Sequence, residues 1–146
     1  MTDDPYASHL PILRAMVASL RPKKVLEFGA GLHSTPFFLQ DPELTRIVSV
    51  EADNDWRRRI AFRCDDQRLV LRVDRRVAPE YFDLVLIDDG TCAAERLETI
   101  HFVLAGPHPP VIIHDAEVPE YATIIKELAI NYSIFPTAPD TAVVWA

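Results

Sequence analysis

Short, nearly continuous apolar runs alternate with stretches in which apolar residues recur every three or four positions, and this continues along the whole chain. Residues 10–20 place Leu13, Met16, Val17 and Leu20 on one face and stop at Arg21 and Pro22, which predicts a helix. Residues 24–28 follow as a strand. Ser34 and Thr35 suit a helix cap, Pro36 fits a first turn, and Phe37, Phe38 and Leu39 supply the face to bury before Asp41 and Pro42 end it. Residues 46–50 (RIVSV) are a β-branched strand, Asn54 or Asp55 can cap a helix to about residue 63, and residues 69–73 form a third strand.

Residues 82–87 (FDLVLI) have the near-continuous apolarity of a strand covered on both faces of a parallel sheet. Asp88, Asp89 and Gly90 follow, then a helix over 92–104, a proline-rich loop over 106–110, and a fifth strand over 111–113 that delivers His114 and Asp115. A helix over 121–130 and strands over 132–135 and 141–145 complete the pattern. Strands alternating with helices require right-handed crossovers, hence an α/β, doubly wound, mostly parallel Rossmann-like sheet with helices on both faces. Residues 136–140 are too few for a helical crossover, so the last of the seven strands is expected to be antiparallel to its neighbour. No linker or repeat interrupts the 146 residues, which suit a single domain over 1–146.

Composition narrows the partners. Apolar residues make up 49% of the chain, yet no apolar run approaches the roughly 20 residues that span a bilayer. The acidic start MTDDPYASH lacks the basic and apolar regions of a signal peptide, so no membrane partner and a cytoplasmic setting are expected. A net charge of −7 disfavours nucleic acid. Arg57, Arg58, Arg59 and Arg63, with Arg68, Arg72, Arg75 and Arg76, read as a solvated face balanced by nearby aspartates. Cys64 and Cys92 have no metal-ligand spacing and read as ordinary core or surface positions.

Residues 25–31 (VLEFGAG) carry the chemistry. A glycine turn after an apolar strand lets backbone approach a nucleotide, and an acid about 20 residues on, here Glu51, takes ribose hydroxyls. Glu27, two residues before Gly29, would repel a pyrophosphate but accept a charge-assisted hydrogen bond from an ammonium group. S-adenosylmethionine (SAM) has both the ammonium and the ribose.

In these residues, in FDLVLIDD and in the closing hairpin, the chain resembles a class I SAM-dependent methyltransferase. SHLPIL, LEFGAGLHSTPFFL, SVEADNDW, IIHDAE and PDTAVVW look like a compact methyltransferase-like group of unassigned substrate. The resemblance implies SAM as cofactor, held by Glu27, Gly29, Ala30, Gly31, Ser34, Thr35, Glu51, Ala52 and Asp88. Ser34 and Thr35 would offer hydroxyls and N–H groups to the methionine carboxylate. Two departures stand out: His33 replaces the turn's third glycine, and only Asp74, followed by Arg75 and Arg76, matches the adenine-contacting acid after the third strand.

Ligands of open parallel sheets sit beyond the carboxyl ends of the strands, which gathers Glu27, Glu51, Asp88, Asp89, His114 and Asp115. His114 is the candidate base and Asp88 its companion, acting on a small-molecule acceptor. Asp88, Asp115 and Asp89 could instead hold a hard cation, but no amide residue follows Asp115, and no metal ligands are assigned. His9 and His33 lie on segments that could overhang the pocket or are loop residues bonded to backbone, and His101 and His108 read as surface positions. Trp56 belongs near adenine or in the core, Tyr121 could close the substrate side, and Arg96 is an anion binder or a solvated ion-pair partner. The acceptor side must be shaped by the N-terminal segment, the loop over 88–96, or a second copy of the chain in a homo-oligomer.

The leading expectation is SAM-dependent methyl transfer. A non-catalytic SAM-binding module, or a degenerate methyltransferase acting through a partner, is the alternative from another class. An NAD-dependent oxidoreductase is disfavoured by Glu27, by the missing third glycine and by the lack of room for a substrate domain.

Overall fold

The structure, a computed structural model, describes residues 4–90 and 92–146. The helices are α1 (Leu10–Leu20), α2 (Ser34–Leu39), α3 (Asn54–Arg63), α4 (Ala93–Leu104) and α5 (Pro119–Leu128). The strands are β1 (Lys24–Phe28), β2 (Arg46–Val50), β3 (Leu69–Arg72), β4 (Leu84–Ile87), β5 (Val111–His114), β6 (Asn131–Phe135) and β7 (Thr141–Trp145). They form one seven-stranded sheet in the order β3-β2-β1-β4-β5-β7-β6. The first five strands are parallel, and β7 runs antiparallel to both β5 and β6, as the short link over 136–140 requires. No helix among the described residues is long and apolar enough to cross a membrane.

Period-two alternation sorts the two faces. Val25 and Ile47 pack with Leu13 of α1 and Phe38 of α2, while Leu26, Phe28, Val48 and Val50 pack on the other face with Ile100 of α4 and Ile125 of α5. By the same alternation Glu27 and Ser49 fall on the α1–α2 face, where an acid and a hydroxyl interrupt an apolar layer. Ile60 of α3 packs with Leu39 and Leu69, on that same side.

Several boundaries differ from the sequence expectation, each for a local reason. β4 starts at Leu84 rather than at 82, because a 3-10 turn over Pro79–Tyr81 leads into it and the Asp83 carboxylate accepts the backbone N–H groups of Lys23 and Lys24, both at 2.8 Å. α5 starts earlier than expected, with Pro119 in its first turn. Asp53, rather than Asn54 or Asp55, caps α3 by accepting from Trp56 N at 2.7 Å. No side chain caps α2, since the Ser34 and Thr35 hydroxyls turn inward. β5 extends to His114, which pairs with Thr141 of β7.

The arginine group also divides. Arg58 stays solvated, with 76% of its side chain exposed, whereas Arg68 reaches beneath α2. Its Nη2 donates to Leu39 O at 2.6 Å and its Nη1 to Asp41 O at 2.9 Å, tying up carbonyls at the helix end and beyond it. Asp66 holds the guanidinium in place, and the bonds from Arg68 to its carboxylate draw the Asp66 pKa down to about 2. Arg68→Ala is expected to cost about 1–2 kcal/mol in urea unfolding, because these carbonyls lose a charged donor at a partly hydrated site. An unchanged midpoint would reduce the contact to a surface ion pair.

Candidate functional site

The chain leaves β1 through Gly29, whose φ of +87° is one that side chains rarely adopt. A Cβ there would also lie 2.6 Å from the Asp88 carbonyl carbon and 2.7 Å from Asp89 Cα. The glycine therefore lets the turn after β1 pass directly over the end of β4. Gly29 N donates to Val50 O and Asp88 N to Phe28 O, both at 2.8 Å, so the ends of β1, β2 and β4 are locked in register.

A cleft of about 1170 Å³ opens over these strand ends. Gly29, Ala30, Gly31, Ser34, Glu51 and Ala52 line one part of it, and Asp88, Asp89, Arg96, His114 and Asp115 another. Trp56 and His9 also line it. Glu51 is half-buried, and one of its oxygens accepts Asp53 N at 2.9 Å; burial raises its carboxyl above the usual range. Trp56 donates from Nε1 to Ala30 O at 2.5 Å, bracing the glycine turn from α3. Asp74 is not part of the cleft lining and accepts Arg76 N instead. Asp89 is in the cleft, and its Oδ1 has no hydrogen-bond partner among the described residues.

Glu27 and Thr35 do not line the cleft, although the sequence placed both against the ligand. Glu27 is fully buried beneath the turn and accepts from the hydroxyls of Ser34, Thr35 (2.7 Å) and Ser49 (2.6 Å). Thr35 Oγ1 in turn accepts Gly31 N at 3.1 Å. Thus Glu27 holds the glycine turn from below through hydroxyls, and the hydroxyls expected to face a methionine carboxylate are spent on Glu27. Burial pushes the Glu27 carboxyl up to about 7, with the hydroxyl bonds offsetting only part of it.

The other part of the cleft centres on Arg96, which sequence reading left between an anion binder and a solvated partner. It is buried, and its guanidinium is a hub: Nη2 lies 3.1 Å from Asp88 Oδ1, Nη1 lies 2.5 Å from Asp115 Oδ2, and Nε donates to Asp89 O at 2.7 Å. Tyr121 of α5 packs beneath it, 5.8 Å from ring centroid to guanidinium carbon. Asp115 reaches it from a left-handed backbone (φ +58°), which Asp tolerates better than most residues. Arg75, also drawn in the solvated face, turns into the cleft instead, 3.8 Å from Asp89.

His114 is buried at the end of β5, its Nδ1 3.1 Å from Asp88 Oδ1 and its Nε2 2.9 Å from Ser8 Oγ. Burial opposes its protonation, but Asp88 and Asp115 outweigh that and raise its pKa. Asp88 shows the converse: burial would raise its carboxyl, but the His114 ring and the Arg96 guanidinium hold it below the usual carboxylate range. His33 bonds Asp4 Oδ2 at 3.0 Å rather than backbone. His9 does overhang the cleft, and its ring has no hydrogen bond to backbone among the described residues. It is 1% exposed, its ring centroid is 4.7 Å from that of His114, and burial lowers its pKa to about 4.

No protein-family model and no curated protein matches this sequence. Solved structures do match in shape. The methyltransferase domain of bacterial CtHen1 aligns over 98% of this chain and 100% of its own, with a TM-score of 0.71 and 13% identity. The N-methyltransferase NodS from Bradyrhizobium japonicum WM9, in complex with S-adenosyl-L-homocysteine, aligns over 97% and 87% respectively, with a TM-score of 0.67 and 15% identity. The chain has a class I methyltransferase-like fold. This methyltransferase-like sheet also serves other chemistry: a spermidine synthase in complex with the transition-state analogue AdoDATO aligns over 99% of the chain and 62% of its own, with a TM-score of 0.72 and 17% identity. At these identities the likeness concerns the fold, so activity has to be argued from the cleft.

Proposed function

We propose that the protein binds SAM and transfers its methyl group to a small-molecule acceptor. The observation that carries this reading is the convergence of the glycine turn after β1, the acid after β2 and the ends of β4 and β5 on one cleft. Its volume exceeds the roughly 300–1,000 Å³ of a typical small-molecule site, which suits a cofactor and an acceptor together.

Glu51 takes the ribose hydroxyls, and the backbone of Gly29, Ala30 and Gly31 lies along the methionine portion, with Ser34 beside it. Asp89, which lines the cleft where Asp74 does not, takes the place of Asp74 as the acid toward the adenine amino group. Glu27 acts through the turn it supports. The acceptor lies toward Asp88 and His114, where the cleft must align it for in-line displacement at the sulfonium methyl. Such alignment alone supplies about 7–11 kcal/mol when geometry is near attack.

Calorimetric titration with SAM and with its demethylated product tests the reading, and NAD serves as the competing ligand. Glu51→Ala is expected to weaken SAM binding about 10- to 100-fold, the worth of charge-assisted hydrogen bonds to ribose. Absence of binding by folded protein, or NAD binding in its place, would discard it. Incubation with methyl-labelled SAM and a metabolite pool separates transfer from binding alone.

A further inference from the structure

We propose that His9, Asp88 and His114 form a binding site for a first-row divalent transition metal, with zinc as the reference ion. The binding rests on these three side chains; only a use of the metal in methyl transfer rests on the proposed function. One ligand atom from each lies within 4.8 Å of the others, on the wall of the cleft.

The first observation is the state of His9. Its ring is 1% exposed, and neither Nδ1 nor Nε2 has a hydrogen-bond partner among the described residues. A buried polar atom left unpaired is destabilising, and a ring with two of them is a poor filler where Phe or Leu would pack as well. The ring lies against that of His114, with 4.7 Å between centroids.

The second observation concerns the other two ligands. Every bond of the Asp88 carboxylate among the described residues falls on Oδ1, from His114 Nδ1 and Arg96 Nη2, which leaves Oδ2 available. His114 is held at Nε2 by Ser8 Oγ, 2.9 Å away. Ser8 and Arg96 therefore stand as outer partners that orient a metal-binding ring and carboxylate. A metal entering between Asp88 and His114 takes the ring lone pair at Nδ1 and releases any proton held there to solvent.

Distances and charge are compatible with this. Ligands at about 2.0–2.2 Å from a tetrahedral ion lie about 3.3–3.6 Å apart, against the 4.8 Å within which these three atoms lie, so the widest pair must close by up to roughly 1.2–1.5 Å. His9 makes that adjustment by turning about its side-chain bonds, since no hydrogen bond among the described residues fixes its ring. Asp88 and Asp115 together outnumber the Arg96 charge by one, so a dication is not repelled. Two imidazoles and one carboxylate select first-row transition ions over magnesium and calcium, which prefer oxygen donors. Three protein ligands leave a further position open toward the cleft, where the metal could hold an acceptor oxygen and lower its pKa.

The test uses tag-free protein stripped with chelator, titrated with Co²⁺ while its visible ligand-field absorption is recorded, and with Zn²⁺ by calorimetry. One ion per chain is expected. His9→Phe keeps an aromatic ring in the space and removes both unpaired nitrogens, so it is expected to fold at least as stably as the parent, checked by urea unfolding. It should weaken metal binding by more than the roughly 10- to 100-fold typical of losing an outer partner, whereas His101→Phe, on exposed surface, should not. No one-to-one binding by the folded parent, or binding that survives in His9→Phe, overturns the site. Neither result depends on SAM, whose titration stands or falls separately.

Discussion

Arg96→Ala is expected to destabilise the protein by about 3 kcal/mol, the low end of the 3–5 kcal/mol seen when one partner of a buried ion pair is removed. The low end applies because Asp88 and Asp115 retain 24% and 30% of their side-chain exposure and are partly screened. Without the guanidinium, the Asp88 and Asp115 carboxylates keep the His114 ring as their one shared partner among the described residues, and Asp89 O loses the Arg96 donor. Arg96→Lys restores a charge but not the planar fork that reaches three groups at once, so it should recover only part of the loss. Urea unfolding at neutral pH measures both. A loss under about 1 kcal/mol for Arg96→Ala would show that the start of α4 is held against the ends of β4 and β5 by something other than this hub.

The second large effect is a pH dependence from Glu27. Its carboxyl titrates at about 7 in the folded protein against 4.5 for the ordinary group, so between these values the folded state binds more protons than the unfolded one. Stability from this group is therefore fully present below about pH 4.5 and is lost as pH rises through 7. The difference corresponds to a contribution on the order of 3 kcal/mol. Glu27→Gln cannot ionise, so the stability of the parent relative to this variant should fall by that order between pH 5 and pH 8. Parallel profiles for the two proteins would mean that the Ser34, Thr35 and Ser49 hydroxyls stabilise the carboxylate well enough to cancel its burial.

Those two residues also mark how far the chain could be read unaided. Period-two and helical spacing are local signals, so all seven strands, the antiparallel last strand and the glycine turn were legible, and Glu51 fell in the cleft where the spacing put it. What was not legible depends on side chains brought together from distant segments. Glu27 sits on a strand face where alternation predicts burial, but nothing local announces the three hydroxyls that meet it. Arg68 looked like one of eight surface arginines, and only the fold of α2 against β3 gives it carbonyls to hold. His9 precedes a helix and looked like a loop residue; its burial against His114 joins positions 105 apart in the chain. A faint cue existed: a His in SHLPIL, immediately before an apolar helix, departs from the Ser, Thr, Asp or Asn that a helix start prefers.

The strand order carries a consequence for the order of assembly. β7 lies between β5 and β6, so β6 has no neighbour in the sheet until the strand that follows it in the chain has been made. His114 pairs with Thr141, and Ala116 N donates to Asp140 O at 3.0 Å. During synthesis, at roughly 5–20 residues per second, the Glu51 end of the cleft can therefore form while the His114 end still lacks its bordering strand. A nascent chain stalled before residue 141 should protect the amides of β1 and β2 from exchange, but not those at the end of β5.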